Sequence, residues 1–133
     1  MSVAVAHQVS PTSHLALREA GREASLRQTS LAVIHIGESM DLDLFEAYRA
    51  GISDDIAEAM GTAGIDSADW QLHMAAGDDV AEKVLELAAD ADAELLVIGA
   101  RRRSPVGKFL LGSVTQSIIL DAPIPVLVVK ADA

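Results

Sequence analysis

The chain has no cysteine, which removes disulfides, cysteine nucleophiles and thiolate metal sites from consideration. Aromatic residues are nearly absent: Phe45, Phe109, Tyr48 and Trp70 are the whole set. A core must therefore be built from Val, Ile, Leu, Ala and Met. Basic residues are outnumbered, ten against twenty acidic, for a net charge of −10. That balance argues against a nucleic-acid-binding domain, which carries a basic face. No apolar run approaches the roughly 18 residues that span a membrane. The start lacks the basic and apolar stretches of a signal peptide, so the expected location is the cytoplasm.

What is present is 133 residues, half of them hydrophobic, the size and composition of one folded domain over 1–133. Val3–Ala6 reads as a short buried strand. His14–Leu26 reads as a helix, with Thr12 or Ser13 as its cap and Leu17, Ala20 and Ala24 at helical spacing. Leu31–Ile36 reads as a second strand. Leu44–Ala63 has helical pattern, with Gly51 as an interruption, Ser53 and Asp54 capping a restart, and Gly61 and Gly64 closing it. Trp70–Ala75 reads as a third strand, and Val80–Ala89 as a helix with a stripe of Val80, Val84, Leu87 and Ala88. Glu94–Ile98 reads as a fourth strand. A helix from Ser113, with Ile118 and Ile119 inward, ends before Pro123. Pro125–Lys130 reads as the last strand.

This β-α-β-α-β-α-β-α-β order, with strands apolar on both faces, calls for a parallel sheet covered on both sides. In such a doubly wound α/β fold a ligand sits beyond the C-terminal strand ends, where strand order reverses. Ala6, His7, Gln8, His35, Ile36, Ile98 and Gly99 are expected to gather there. Gly99–Val114 is the most distinctive stretch. It holds four of the ten basic residues, Arg101, Arg102, Arg103 and Lys108, between a strand and a helix start. A helix start offers unpaired backbone N–H groups and the loop adds positive charge, an anion-binding arrangement. The competing reading is a solvated loop and a plain helix cap at Gly112–Ser113. Gly107–Lys108 is no P-loop, since Arg102 and Phe109 stand where that motif needs Gly and Ser or Thr.

Val97–Val114 resembles the universal stress protein family, whose nucleotide-binding members carry Gly, two residues, Gly, nine residues, then Gly-Ser or Gly-Thr. Gly99 and Gly112-Ser113 match at that spacing; Arg102 stands at the second glycine. Lys108–Val114, the tail Asp121–Val129, and Gly77-Asp78 before a helix are also similar. The family's first strand often ends in an aspartate that contacts the nucleoside; Gln8 is the matching residue here. The resemblance implies a five-stranded sheet ordered 3-2-1-4-5, a three-layer sandwich of the adenine nucleotide α-hydrolase-like kind. It implies ATP or AMP as ligand, with Gly99, Gly112, Ser113, Val114 and one arginine toward the phosphates, Ala6, Gln8 and Ile36 bordering the nucleoside, and Ile98, Arg101, Arg102 and Thr115 also counted among the binding residues. It also implies a homodimer through the last strand, Val126–Val129, which as a bare sheet edge would be a pairing hazard.

Two alternatives stay open. One is a dimeric scaffold of the same family with a degraded nucleotide motif. The other is a slow phosphohydrolase, which would need a metal-holding carboxylate that the strand ends lack. Binding rather than catalysis is the expectation, and nothing in the sequence calls for a metal. His7, His35 and His73 fall near strand ends, but at no metal-ligand spacing. His35 reads as a core or ligand-lining residue, His14 as helix surface, and Asp54-Asp55 and Asp78-Asp79 as acidic helix starts.

Overall fold

The computed structural model describes residues 1–8, 10–38, 42–64, 69–101 and 112–131, the side chains at 11, 42, 101 and 131 excepted. Five strands alternate with four helices: β1 Ser2–Ala6, α1 Pro11–Leu26, β2 Ser30–Gly37, α2 Leu42–Thr62, β3 Trp70–Ala76, α3 Val80–Asp90, β4 Ala93–Arg101, α4 Ser113–Asp121 and β5 Val126–Ala131. All four strand pairings are parallel, and the sheet runs β3-β2-β1-β4-β5, as expected.

Strand side chains alternate between faces, and both faces are apolar here. Val3, Val5, Leu31, Val33, Leu95 and Val97 pack under α1 and α2, against Leu17, Ala20, Ile52, Ile56 and Met60. Ala4, Ala32, Ile34, Leu96 and Ile98 pack under α3 and α4, against Ala81, Val84, Ala88 and Ile118. The core is thus two aliphatic layers, one on each side of the sheet.

Three local expectations are corrected. α1 begins at Pro11 with Ser10 as its cap, rather than at Thr12 or Ser13. The Ser13 N–H donates to Ser10 Oγ at 3.2 Å, and Pro11 fills the first helical position, where its missing N–H costs nothing. The Ser13 hydroxyl instead accepts from the Gln8 N–H at 2.7 Å, tying the exit of β1 to the helix. α2 runs unbroken through Gly51, because Ile52, Ile56 and Met60, four apart, bury one continuous stripe. It ends at Thr62, and Gly64 follows at φ +77, a conformation glycine adopts without strain. In α4 only Ile118 is buried and Ile119 is exposed, since residues one apart point about 100° away from each other on a helix.

The α3 stripe is buried at Ala81, Val84 and Ala88, with Val80 and Leu87 half-buried on its flanks. Asp79 caps that helix, accepting from the Glu82 N–H at 3.1 Å.

Candidate functional site

β1 lies at the centre of the sheet, where the chain crosses from one side to the other, and its C-terminal end opens beside that of β4. A cavity of about 330 Å³ sits there. Ala6, Gln8, Ile36, Ile98, Gly99, Gly112, Ser113, Val114 and Thr115 all line it. Ile34, Val80, Val84 and Ile118 extend its apolar wall, and His7, Ser10, Thr12 and Ser13 its polar one. No acidic residue is among the described residues that line it. Arg101 ends β4, paired in register with Ala131, but its side chain lies outside the described residues, as do Arg102, Arg103 and Lys108.

Two backbone features shape the cavity. At Gly99 a Cβ would stand 2.9 Å from Thr12 Cγ2 and 3.2 Å from the Thr12 carbonyl oxygen, so only glycine lets the first turn of α1 press onto β4. Gly112 is the N-cap of α4 at φ −68, ψ 164, a conformation open to any residue, and no side chain among the described residues caps the helix. Ser113 is therefore the first residue inside the helix rather than its capping hydroxyl. The Gln116 N–H donates to the Gly112 carbonyl at 3.0 Å, so the N–H groups of Ser113, Val114 and Thr115 have no intrahelical acceptor. Those three residues line the cavity, which gives one end of it a positive dipole end.

On the other face of the sheet, under α1 and α2, lies a cluster the sequence did not reveal. The imidazole of His7 is fully buried there, and its Nε2 meets Asp55 Oδ2 at 2.7 Å. His14 Nε2 lies 3.1 and 3.2 Å from the two oxygens of the same carboxylate. His7 Nδ1 faces His35 Nδ1 at 3.0 Å, and the latter also lies 3.1 Å from the His7 carbonyl oxygen. His35 Nε2 hydrogen-bonds the Tyr48 hydroxyl.

One arrangement of protons satisfies every contact. The His7 Nε2–H donates to Asp55, leaving Nδ1 to accept. The His35 Nδ1–H donates to that nitrogen and to the His7 carbonyl, leaving His35 Nε2 to accept from the Tyr48 hydroxyl. Both rings are then neutral. Burial, the dominant influence, lowers the pKa of His7 from its ordinary value, only partly offset by Asp55. Burial, and secondly the neighbouring His7, lower that of His35. At Asp55 burial works to raise the pKa, but hydrogen bonds from His7 and His14 outweigh it and hold the carboxyl below the usual range.

His14 is therefore not simply helix surface, and Asp55 is not part of a helix start: it sits in the middle of α2. Reading α2 as broken at Gly51 hid Asp55, which flanks the buried stripe between Ile52 and Ile56. His73 lies within β3, in register with Ile34, and does not join the cluster.

The comparisons with known proteins agree with this geometry. A family model described as the universal stress protein family matches residues 1–130. A universal stress protein of Mycolicibacterium smegmatis is 35% identical over 128 residues, covering 96% of each chain. The solved structure of a universal stress protein from Archaeoglobus fulgidus superposes with a TM-score of 0.78 at 29% identity, covering 98% of each chain. The Archaeoglobus fulgidus universal stress protein in complex with dAMP gives 0.74 at 26% identity, again over 98% of each. A universal stress protein in complex with cAMP gives 0.74 at 25% identity, over 97% of this chain and 95% of the other. From Met1 to Lys130, in sequence and in fold, this chain belongs to the universal stress protein family.

Proposed function

We propose that the cleft at the ends of β1 and β4 binds an adenine nucleotide, ATP or AMP, as a stress or energy signal, and that the bound state alters dimer and partner contacts of a cytoplasmic single-domain protein. One observation carries this reading: an apolar slot formed by Ile34, Ile36, Val80, Val84 and Ile98 adjoins the uncapped N-terminus of α4 within one cavity. A flat base fits the slot, and phosphate oxygens fit the free amides and the Ser113 hydroxyl. Two relatives of the same fold, solved with dAMP and cAMP, support it. In this reading Ala6, Gln8 and Ile36 border the nucleoside. Gly99, Ser113, Val114, Thr115 and one arginine of the 101–103 run hold the phosphates. Gln8 replaces the family's strand-end aspartate with a neutral amide, which can still hydrogen-bond a hydroxyl.

Calorimetric titration of the full chain with ATP, AMP and cAMP tests the reading. Saturable heat and a thermal upshift are the expected result. No heat and no shift at millimolar ligand overturn it in favour of the scaffold reading, which Arg102 and Gln8 favour. Dimerisation is proposed through β5, the sheet edge, whose apolar Val126–Val129 pairs with β4 on one side. Sedimentation equilibrium is expected to return twice the 13.9 kDa chain mass, and a monomer at all concentrations would count against this route.

A further inference from the structure

We propose that His7, His14 and Asp55 form a binding site for a divalent transition metal of the zinc class, on the face of the sheet opposite the cleft's apolar slot, with His7 common to both linings. The three come from different elements: His7 from the residue after β1, His14 from the first turns of α1, and Asp55 from the middle of α2. Their nearest ligand atoms, two imidazole nitrogens and a carboxylate oxygen, all lie within 4.8 Å of one another. Two imidazoles and a carboxylate suit zinc and its neighbours rather than magnesium or calcium, which take all-oxygen sites. With zinc bonds of about 2.0–2.2 Å, a tetrahedral ion holds its ligand atoms about 3.3 Å apart. The present separations of 2.7 Å for His7 to Asp55 and 3.1 Å for His14 to Asp55 need about 0.6 and about 0.2 Å of opening, and the two imidazole nitrogens, no more than 4.8 Å apart, form the third edge of the site. His14, with its side chain 40% exposed, has room to give, while fully buried His7 is a fixed anchor. A solvent molecule completes the coordination on the His14 side.

The partners behind His7 are those a ligating histidine needs. A metal on Nε2 requires that nitrogen's lone pair, so the ring proton must sit on Nδ1. There it donates to His35 Nδ1, at 3.0 Å, and the His35 proton moves to Nε2, facing the Tyr48 oxygen. The proton count of the two rings is unchanged, since each exchanges one tautomer for the other. In that arrangement the His7 lone pair points at the Asp55 carboxylate, which is tolerable only with a cation between them. The second arrangement gives up the His35 Nδ1–H donation to the His7 carbonyl oxygen, a loss that metal binding at Nε2 must offset, and it is the metal-bound one.

The test uses the full chain, stripped with chelator, titrated with zinc alone and without nucleotide. Calorimetry is expected to show one zinc per chain, and cobalt in its place to give the intense visible absorption of a tetrahedral site. His14→Ala, at a half-exposed position, should weaken zinc by more than the about 10–100-fold that loss of an outer partner costs. His73→Ala should leave binding unchanged. Imidazole nitrogen NMR of the unaltered chain does not depend on any variant. Zinc should shift Nε2 of His7 and His14 and move the His35 proton from Nδ1 to Nε2. The proposal is overturned by the absence of binding, by equal binding in His14→Ala, or by an unshifted His7 Nε2.

Discussion

Asp55 serves two histidines with one carboxylate, and its removal exposes what it does for the fold. In Asp55→Ala the fully buried His7 Nε2–H loses its acceptor. An unsatisfied buried donor costs about 1–3 kcal/mol, and urea denaturation should show a loss of that order. Asp55→Asn keeps an acceptor oxygen and should recover part of it. The same cluster sets a pH dependence. His7 and His35 have lowered values in the fold, so below the ordinary histidine value of about 6.5 the unfolded chain takes up protons that the folded chain refuses. Stability should fall as pH drops from about 7.5 to about 5. Asp55 acts in a separate window, because its lowered carboxyl withdraws support only on acidification below the ordinary carboxylate range. Unfolding midpoints that stay flat between pH 7.5 and 5, with His7 titrating normally by NMR, would contradict this assignment. At Gly99 the prediction is steric. Gly99→Ala drives a methyl into Thr12, and should destabilise by about 1–3 kcal/mol, read from the same unfolding curves.

At the scale of elements, the sequence was most readable where local chemistry and burial agreed. Asp79 before an apolar stripe announces α3, and the structure has Asp79 as its cap. Where the two compete, burial wins. Gly51 costs about 1 kcal/mol inside a helix, but Ile52, Ile56 and Met60 each return about 1.5–3 kcal/mol on burial, so α2 runs through it. At the start of α1 two cap signals compete: Thr12 and Ser13 offer hydroxyls, but Ser10 followed by Pro11 at the first helical position is the one the fold uses. α4 offers a test of its own N-terminus. Ser113→Asp puts a carboxylate where the amides point, which should favour the helix dipole by about 0.3–1 kcal/mol while repelling phosphate. Thermal stability should hold or rise as ATP affinity falls at least about tenfold, the factor worth 1.4 kcal/mol. Unchanged ATP affinity in this variant would mean that phosphate does not sit there.

For the whole molecule, a parallel sheet covered on both faces follows from alternation and connection rules, while the strand order, β3-β2-β1-β4-β5 as observed, is what the family resemblance implies. The cleft's lining could largely be drawn up from strand ends and the family resemblance: Ala6, His7, Gln8, Ile36, Ile98 and Gly99 border it, as do Gly112, Ser113, Val114 and Thr115, whereas His35, also expected there, turns to the opposite face of the sheet. The histidine cluster could not. It depends on where the first turns of α1 meet the middle of α2, a contact between residues 41 apart in sequence that no local pattern encodes. Both layers rest on β4, where Leu96 is fully buried at the sheet centre. Leu96→Ala should cost about 2–5 kcal/mol by denaturant unfolding, a loss large enough to weaken both sites together.

β1 is five residues long, and its residues address opposite sides of the sheet in turn. Ala4 and Ala6 face the α3 and α4 layer, while Val3 and Val5 face the α1 and α2 layer, as His7 does just beyond. In β2, Ile34 and Ile36 take the cleft side and His35 the other. The cleft and the histidine cluster are thus written on the same two strands, interleaved at alternate letters. Point substitutions anywhere but His7, which borders both, can edit one text and leave the other readable. A single-residue insertion or deletion within β1 shifts the reading frame of both, carrying an imidazole toward the cleft and an aliphatic chain into the polar cluster. Lineages of this fold can therefore vary the two sites independently by replacement, but can only lose or keep them jointly by a change in strand length.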